Sequence, residues 1–152
     1  MILSDIDIKG AIKSGKIKVL PYEESLIGPC NLDMRLNDTY YEYDTKKSVV
    51  IFANKTLSLE LFNIIKSEEM LILPGDFILA NTIECFTLPN NLAARVEGLS
   101  SLARKGIIIH STANLFHPGW SGVATLEISN INKIPVMLQS GMRICSFTFE
   151  TI

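Results

Sequence analysis

Residues 70–96 read MLILPGDFILANTIECFTLPNNLAARV. Three apolar runs, Met70 to Leu73, Phe77 to Thr82 and Leu92 to Val96, are separated by Pro74-Gly75 and by Pro89-Asn90-Asn91. Each run has the length of a strand, and each break carries residues that turn the chain. The same rhythm continues on both sides. Upstream stand Tyr40 to Tyr43, Val49 to Phe52 and Leu57 to Leu61, punctuated by Asp44 and Asn54, and downstream stand Pro135 to Leu138 and Arg143 to Phe149, with Ser140-Gly141 between them. Strands at this spacing predict an all-β barrel or sandwich and not alternating βα units.

Closer to the N-terminus, Leu32, Met34 and Leu36 alternate with Asn31, Asp33 and Arg35, the period of a half-buried strand. Asp33 and Arg35 share its polar face, where a solvated cross-strand pair is the ordinary reading. Ser4 followed by Asp7 predicts a helix start, with Ile8, Ala11 and Ile12 facing the core and Ser14-Gly15 ending the helix. Ile17 to Leu20 predicts a short strand stopped by Pro21.

With 152 residues the chain fits one domain, residues 1–152, and no linker or low-complexity tract divides it. No apolar run approaches the roughly 18 residues of a membrane span. The opening MILSDIDIKG has acids where a signal peptide would be basic, so the expected location is cytoplasmic. Cys30, Cys85 and Cys145 are widely spaced, without C-x-x-C, and are expected to be reduced, buried thiols. A net charge of −2 with no basic run gives no electrostatic support for long nucleic acid. A compact anion such as a nucleotide needs only a few placed donors. Apolar content of 47% against 20% charged is rich for a small monomer and predicts burial between subunits.

Chemistry gathers between Glu97 and Asn130, EGLSSLARKGIIIHSTANLFHPGWSGVATLEISN. Gly98 permits a bend, Ser100 or Ser101 can cap a short helix running to Lys105, and Gly106 ends it. Such a turn is either an anion site with Arg104 one turn on, or a bridge between strands. Ile107 to Ile109 reads as a strand, followed by a loop through Asn114, Pro118 and Gly119. His110 and His117 lack companion ligands at metal spacing, and each reads as a packed or hydrogen-bonded histidine. Trp120 is either core or the wall of a pocket. Strand alternation puts Val123, Thr125 and Glu127 on one face, so Glu127 is either solvated or held in a pocket with a raised pKa where it can carry protons.

The set Ser100-Ser101-Leu102-Ala103-Arg104-x-Gly106, His110-x-Thr112-Ala113, Pro118-Gly119-Trp120-Ser121-Gly122 and Thr125-Leu126-Glu127 resembles the dCTP deaminase branch of the dCTP deaminase/dUTPase family. The opening Met1-Ile2-Leu3-Ser4-Asp5-x-Asp7-Ile8, the Asp33-x-Arg35-Leu36 element and the Leu73-Pro74-Gly75 turn extend the likeness along the chain. It implies a distorted β-barrel of the dUTPase-like, β-clip type, with one N-terminal helix and a short helix near 100–105, assembled as a homotrimer with active sites between subunits. It also implies hydrolytic deamination of dCTP to dUTP and ammonia without zinc. Glu127 would move protons, and Ser100, Arg104 and the Ala113 carbonyl would hold the water and the base. Main-chain groups near Ser111 and Thr112 would read the pyrimidine, and Ser100 and Ser101 would place the triphosphate with its Mg²⁺. His117 and Trp120 would complete the substrate contacts.

Three positions depart from the family's pattern. Leu99 stands where Arg is usual, His117 stands where an Asp usually meets the deoxyribose 3′-hydroxyl, and the sequence stops at Ile152 where typical deaminases continue into a closing tail. Three readings therefore remain open: a dCTP deaminase, a dUTPase-like diphosphohydrolase giving dUMP and pyrophosphate, and a trimer that binds a nucleotide without turning it over.

Overall fold

The computed structural model describes residues 1–47 and 50–152. Helix α1 (Asp5–Lys13) begins with a reciprocal cap: the Ser4 hydroxyl accepts from the Asp7 amide, and the Asp7 carboxylate accepts from the Ser4 amide. Ile8 and Ala11 face inward. Then follow β1 (Lys18–Leu20), a 3-10 turn at Glu24–Leu26, β2 (Ile27–Gly28) and the long β3 (Asn31–Tyr43). The Asn31 to Leu36 and Tyr40 to Tyr43 runs are thus one strand. A 3-10 turn at Leu59–Leu61 leads to β4 (Phe62–Lys66), β5 (Glu69–Ile72), β6 (Phe77–Thr87) and β7 (Leu92–Gly98). After α2 (Ser100–Ala103) come β8 (Ile107–Ile108), β9 (Leu115–Phe116), β10 (Ser121–Asn130), β11 (Val136–Gln139) and β12 (Arg143–Thr151).

All pairings among the described residues are antiparallel. The main sheet runs β8-β10-β6-β3-β12-β7-β9, with β1 added to β6 and β2 and β4 added to β3, while β11 and β5 form a separate pair. The two end strands are joined by the chain from Ile109 to Asn114. Laid flat, six strand spacings would separate those edges by about 29 Å. The seven residue steps from Ile108 to Leu115 reach at most about 25 Å. The sheet therefore has to curl, and it closes around an apolar interior that includes Met34, Phe86, Leu126, Phe147 and Phe149.

The curl has a local cause in β6. Between the pairs Val123↔Cys85 and Thr125↔Asn81, one residue of β10 faces three of β6, a bulge at Thr82, Ile83 and Glu84. Bulges bend a strand and leave ladder groups unpaired. Here side chains replace the missing bonds. Thr82 Oγ1 accepts from the Ala124 amide at 3.0 Å and donates to the Glu84 carbonyl at 2.8 Å. Glu84, with 0% of its surface exposed, accepts from the Arg35 amide through Oε2 and from Arg35 Nε through Oε1, both at 2.7 Å. The same guanidinium reaches Glu23 through Nη1. The Glu84 carboxylate raises the already high pKa of Arg35, against the opposing effect of burial.

Several expectations need correction. Val49 lies outside the described residues, Val50 to Phe52 form no strand, and Leu57 to Leu61 ends in a 3-10 turn. Ser58 explains the last: its hydroxyl accepts from the Glu60 amide, which competes with strand geometry. Asp33 and Arg35 do not pair with each other; Asp33 meets Asn31 and Arg143. Of the cysteines only Cys145 is buried, and burial raises its thiol pKa well above the ordinary value. Cys30 and Cys85 are exposed. No helix among the described residues is long and apolar enough to cross a membrane.

Removing the Glu84 carboxylate strands a guanidinium and an amide together. Glu84→Ala should lose on the order of 3–5 kcal/mol in urea unfolding, and a loss below about 1 kcal/mol would place the pair outside the sheet's critical contacts. At α1, the hydroxyl and amide of Ser4 hold the Asp7 carboxyl below the usual carboxylate range. A depressed folded-state pKa stabilises above the unfolded value and is lost as pH falls through the folded one. The stability gap between wild type and Asp7→Asn should therefore shrink as pH is lowered from about 5 to 2, and a constant gap would refute the assignment.

Candidate active site

β10 carries Glu127 between two neighbours. On one side Glu127 lies directly opposite Leu79 of β6. On the other, β8 pairs Ile108 with Ser129, and the chain continuing from β8 passes alongside Glu127. There the Ser111 amide donates to Glu127 Oε2 at 2.9 Å. Glu127 is half-buried, and its Oε1 has no protein donor among the described residues. A carboxylate with one oxygen anchored by main chain and the other free is fixed in position yet able to accept a proton.

Ser111, Thr112 and Ala113 are exposed on the loop that bridges the two sheet edges. The loop is pinned at its far end, where the Val96 amide donates to the Asn114 carbonyl at 3.0 Å and Asn114 Nδ2 donates to Glu97 Oε1 at 3.3 Å. Glu97 was not singled out from the sequence as a loop anchor, because only the folded register brings β7 beside the loop. Phe116 and Trp120 then seat the chain on the core: Trp120 lies 4.4 Å from Phe86 and 4.8 Å from Phe116, centroid to centroid. Trp120 is therefore chiefly a member of the aromatic core, half-buried at its rim. His117 is exposed and its ring makes no hydrogen bond among the described residues. His110 is half-buried, and its Nδ1 is buried without a protein partner.

Ser100, Ser101 and Arg104 belong to a second locus. The N-cap of α2 is Leu99, which offers no side-chain bond, so neither serine caps the helix as expected; both sit in its first turn. Leu102 anchors the helix in the core. Its exit is tied to the end of β10, where the Ile131 amide donates to the Gly106 carbonyl and Asn132 Nδ2 donates to the Lys105 carbonyl. Ser100, Ser101 and Arg104 are all exposed. Among the described residues, no hydrogen bond or ion pair links them to Glu127. The fold thus joins Glu127 to Ser111 and its loop, while the turn that follows α2 is tied to the end of β10. No group of three or more His, Cys, Asp or Glu side chains among the described residues is placed to hold a metal ion.

A family model described as dCTP deaminase-like matches residues 2–152. The chain belongs to this family. The dCTP deaminase of Thermomicrobium roseum is 43% identical over 158 residues, which span 100% of this chain and 80% of that protein. A protein of Dictyoglomus thermophilum named dCTP deaminase, dUMP-forming, is 43% identical over 154 residues, 98% of this chain and 79% of its own length. Among solved structures, the 2′-deoxycytidine 5′-triphosphate deaminase from Agrobacterium tumefaciens superimposes with a TM-score of 0.79 at 21% identity, over 99% of this chain and 47% of that one. A dUTPase from phage phi11 of S. aureus superimposes at 0.55 with 10% identity, over 90% of each chain. At those identities the two structures establish the fold, and the fold is the distorted dUTPase-like barrel read from the sequence.

Gly106 ends α2 with φ +82°, and a Cβ there would stand 2.7 Å from Asn132 Cβ and 2.8 Å from the Asn132 amide nitrogen. Gly106→Ala should therefore lower stability by at least about 1–2 kcal/mol from the left-handed backbone alone, with further loss from the clash, read as a fall in Tm. An unchanged Tm would mean that α2 is not held by this close approach.

Proposed function

We propose that this dCTP deaminase-like protein hydrolyses the 4-amino group of dCTP, releasing ammonia and leaving dUTP. The observation that carries the reading is the Ser111–Glu127 hydrogen bond, which holds a carboxylate beside a loop of exposed main-chain groups. In the reaction, Glu127 takes a proton from water as its oxygen bonds to C4. It then delivers that proton to the amino nitrogen, the C4–N bond breaks to release ammonia, and the remaining proton of the C4 hydroxyl passes to N3 as the C4 carbonyl forms. Ser100, Arg104 and the Ala113 carbonyl orient the water and stabilise charge at C4, while Ser101, Ser111 and Thr112 hold the nucleotide. Mg²⁺ travels with the triphosphate as part of the substrate.

The lack of any hydrogen bond or ion pair from Ser100 or Arg104 to Glu127 among the described residues, and the exposure of Ser100, Arg104 and the loop from Ser111 to Ala113, support a site completed by a second subunit of a homotrimer. Water-screened donors contribute little until a partner covers them. Relatives named dUMP-forming raise a second hydrolysis at the phosphates. Among the described residues the ring of His117 makes no hydrogen bond that would orient it as a base, which favours dUTP as the end product.

Incubation with Mg²⁺ and dCTP, with ammonia and nucleotides followed by chromatography, tests the reading. Wild type should release ammonia and accumulate dUTP, and Glu127→Gln should fall by a factor of about 10³ or more while keeping its oligomeric mass. Binding of dCTP with no ammonia from wild type would overturn catalysis. Accumulation of dUMP and pyrophosphate would overturn the product assignment alone.

A further inference from the structure

Three polar residues among those described are buried outright: Thr82, Glu84 and Asn130. Thr82 and Glu84 serve the bulge in β6. Asn130 ends β10 and gathers the turn that follows it. Its Nδ2 donates to the Ile72 and Ile134 carbonyls, both at 2.9 Å, and its Oδ1 accepts from the Asn132 amide at 2.8 Å. Both N–H groups and the oxygen are engaged, so only one orientation of the side-chain amide satisfies them. The main chain is fixed as well, the Asn130 carbonyl accepting from the Gly75 amide at 2.9 Å.

The turn held in this way grips the exit of α2. Asn132 Nδ2 donates to the Lys105 carbonyl at 3.1 Å, and the Ile131 amide donates to the Gly106 carbonyl at 2.9 Å. Arg104, the C-cap of α2, stands immediately before these two residues. It is exposed, and among the described residues its guanidinium makes no hydrogen bond or ion pair, so the side chain is located from its backbone end. We propose that Asn130 and Asn132 are positioning residues for the deamination: they clamp the exit of α2 to the end of the strand that carries Glu127, and so fix where Arg104 presents its charge.

This inference rests on the proposed deamination and names what holds one of its parts in place. Ser100 and Ser101 lie in the first turn of α2, beside Leu99 and the buried Leu102, whereas the clamp acts at the other end. Loosening it displaces Arg104 first, and a shift of about 1 Å can lower a rate by about 10²-fold. Charge at C4 develops in the transition state, so the loss shows in kcat and not in KM. In a site completed by a second subunit the clamp acts in the same way, because it fixes α2 to the body of its own chain.

Replacing the buried Asn130 endangers folding, so the test uses the half-buried Asn132. Asn132→Asp is nearly isosteric, keeps the acceptor for the Lys133 amide and removes the donor to Lys105. Asn132→Ala removes both. With dCTP and Mg²⁺, each variant should lose kcat by about 10-fold or more with KM within about 3-fold. Combined with Arg104→Ala, Asn132→Ala should cost little beyond Arg104→Ala alone, within about 2-fold, because both act through one guanidinium. Hydrogen exchange should quicken over Leu102 to Gly106 in the Asn132 variants and stay unchanged along β10. Wild-type kcat in the Asn132 variants, factors that multiply in the double variant, or unaltered exchange at α2 each overturn the proposal. Absence of ammonia from wild type sinks the deaminase reading and the positioning role with it, whereas wild-type turnover with any of those three results sinks this inference alone.

Discussion

Three residues of β6 bulge between β10 and β3, and the side chains of Thr82 and Glu84 replace the ladder bonds that the bulge removes. A backbone amide left unpaired inside a barrel costs about as much as a lost hydrogen bond, so the bulge depends on these substitutes. Glu84 is the more demanding of the two, because it brings a charge into the interior. Its two bonds from Arg35 match that charge with a guanidinium anchored on the neighbouring strand. The bend that results sits in the strand pairing with β1, β3 and β10, and so propagates to most of the sheet.

Curvature of the sheet determines what the loop from Ile109 to Asn114 can do. Because it bridges both edges, it is stretched across the seam and pinned at each side, by Glu127 near its start and by Val96 and Glu97 at its end. A loop restrained in this way presents exposed main-chain groups in a defined array, with the aromatic seat of Phe86, Phe116 and Trp120 below it. The short helix α2 is positioned independently, by Leu102 and by the turn after β10. Each locus is thus anchored by contacts of its own, the loop by Glu127, Val96 and Glu97 and the helix by Leu102 and the turn after β10.

Much of the scaffold was legible in local patterns. The α1 cap, the β3 alternation and the Pro-Gly and Ser-Gly turns act within a few residues, where sequence and geometry are tightly coupled. The bulged carboxylate was also within reach: Ile78, Ala80, Thr82, Glu84 and Phe86 alternate inward along β6, and a Glu in that row signals a buried partner. The predicted strand over Leu57 to Leu61 differed because Ser58 turns its own backbone, and the predicted serine cap of α2 differed because Leu99 already holds the extended N-cap position. The cysteines show the limit of spacing as evidence. Their separation argued for reduced thiols but carried no information about which face each occupies.

Sequence alone determined that this chain is all-β, that it begins with a capped helix, and that its distinctive residues gather between Glu97 and Asn130. Those properties follow from hydrophobic period, turn chemistry and a matched run of residue types. Only the tertiary structure decided that Glu127 is held by Ser111, that Arg35 belongs to Glu84 and not to Asp33, and that Thr125 donates to Asn81 across β10 and β6. Each of these is a contact between segments distant in sequence, set by register across a bulged and curled sheet. A shift of one residue would turn every one of those side chains to the other face.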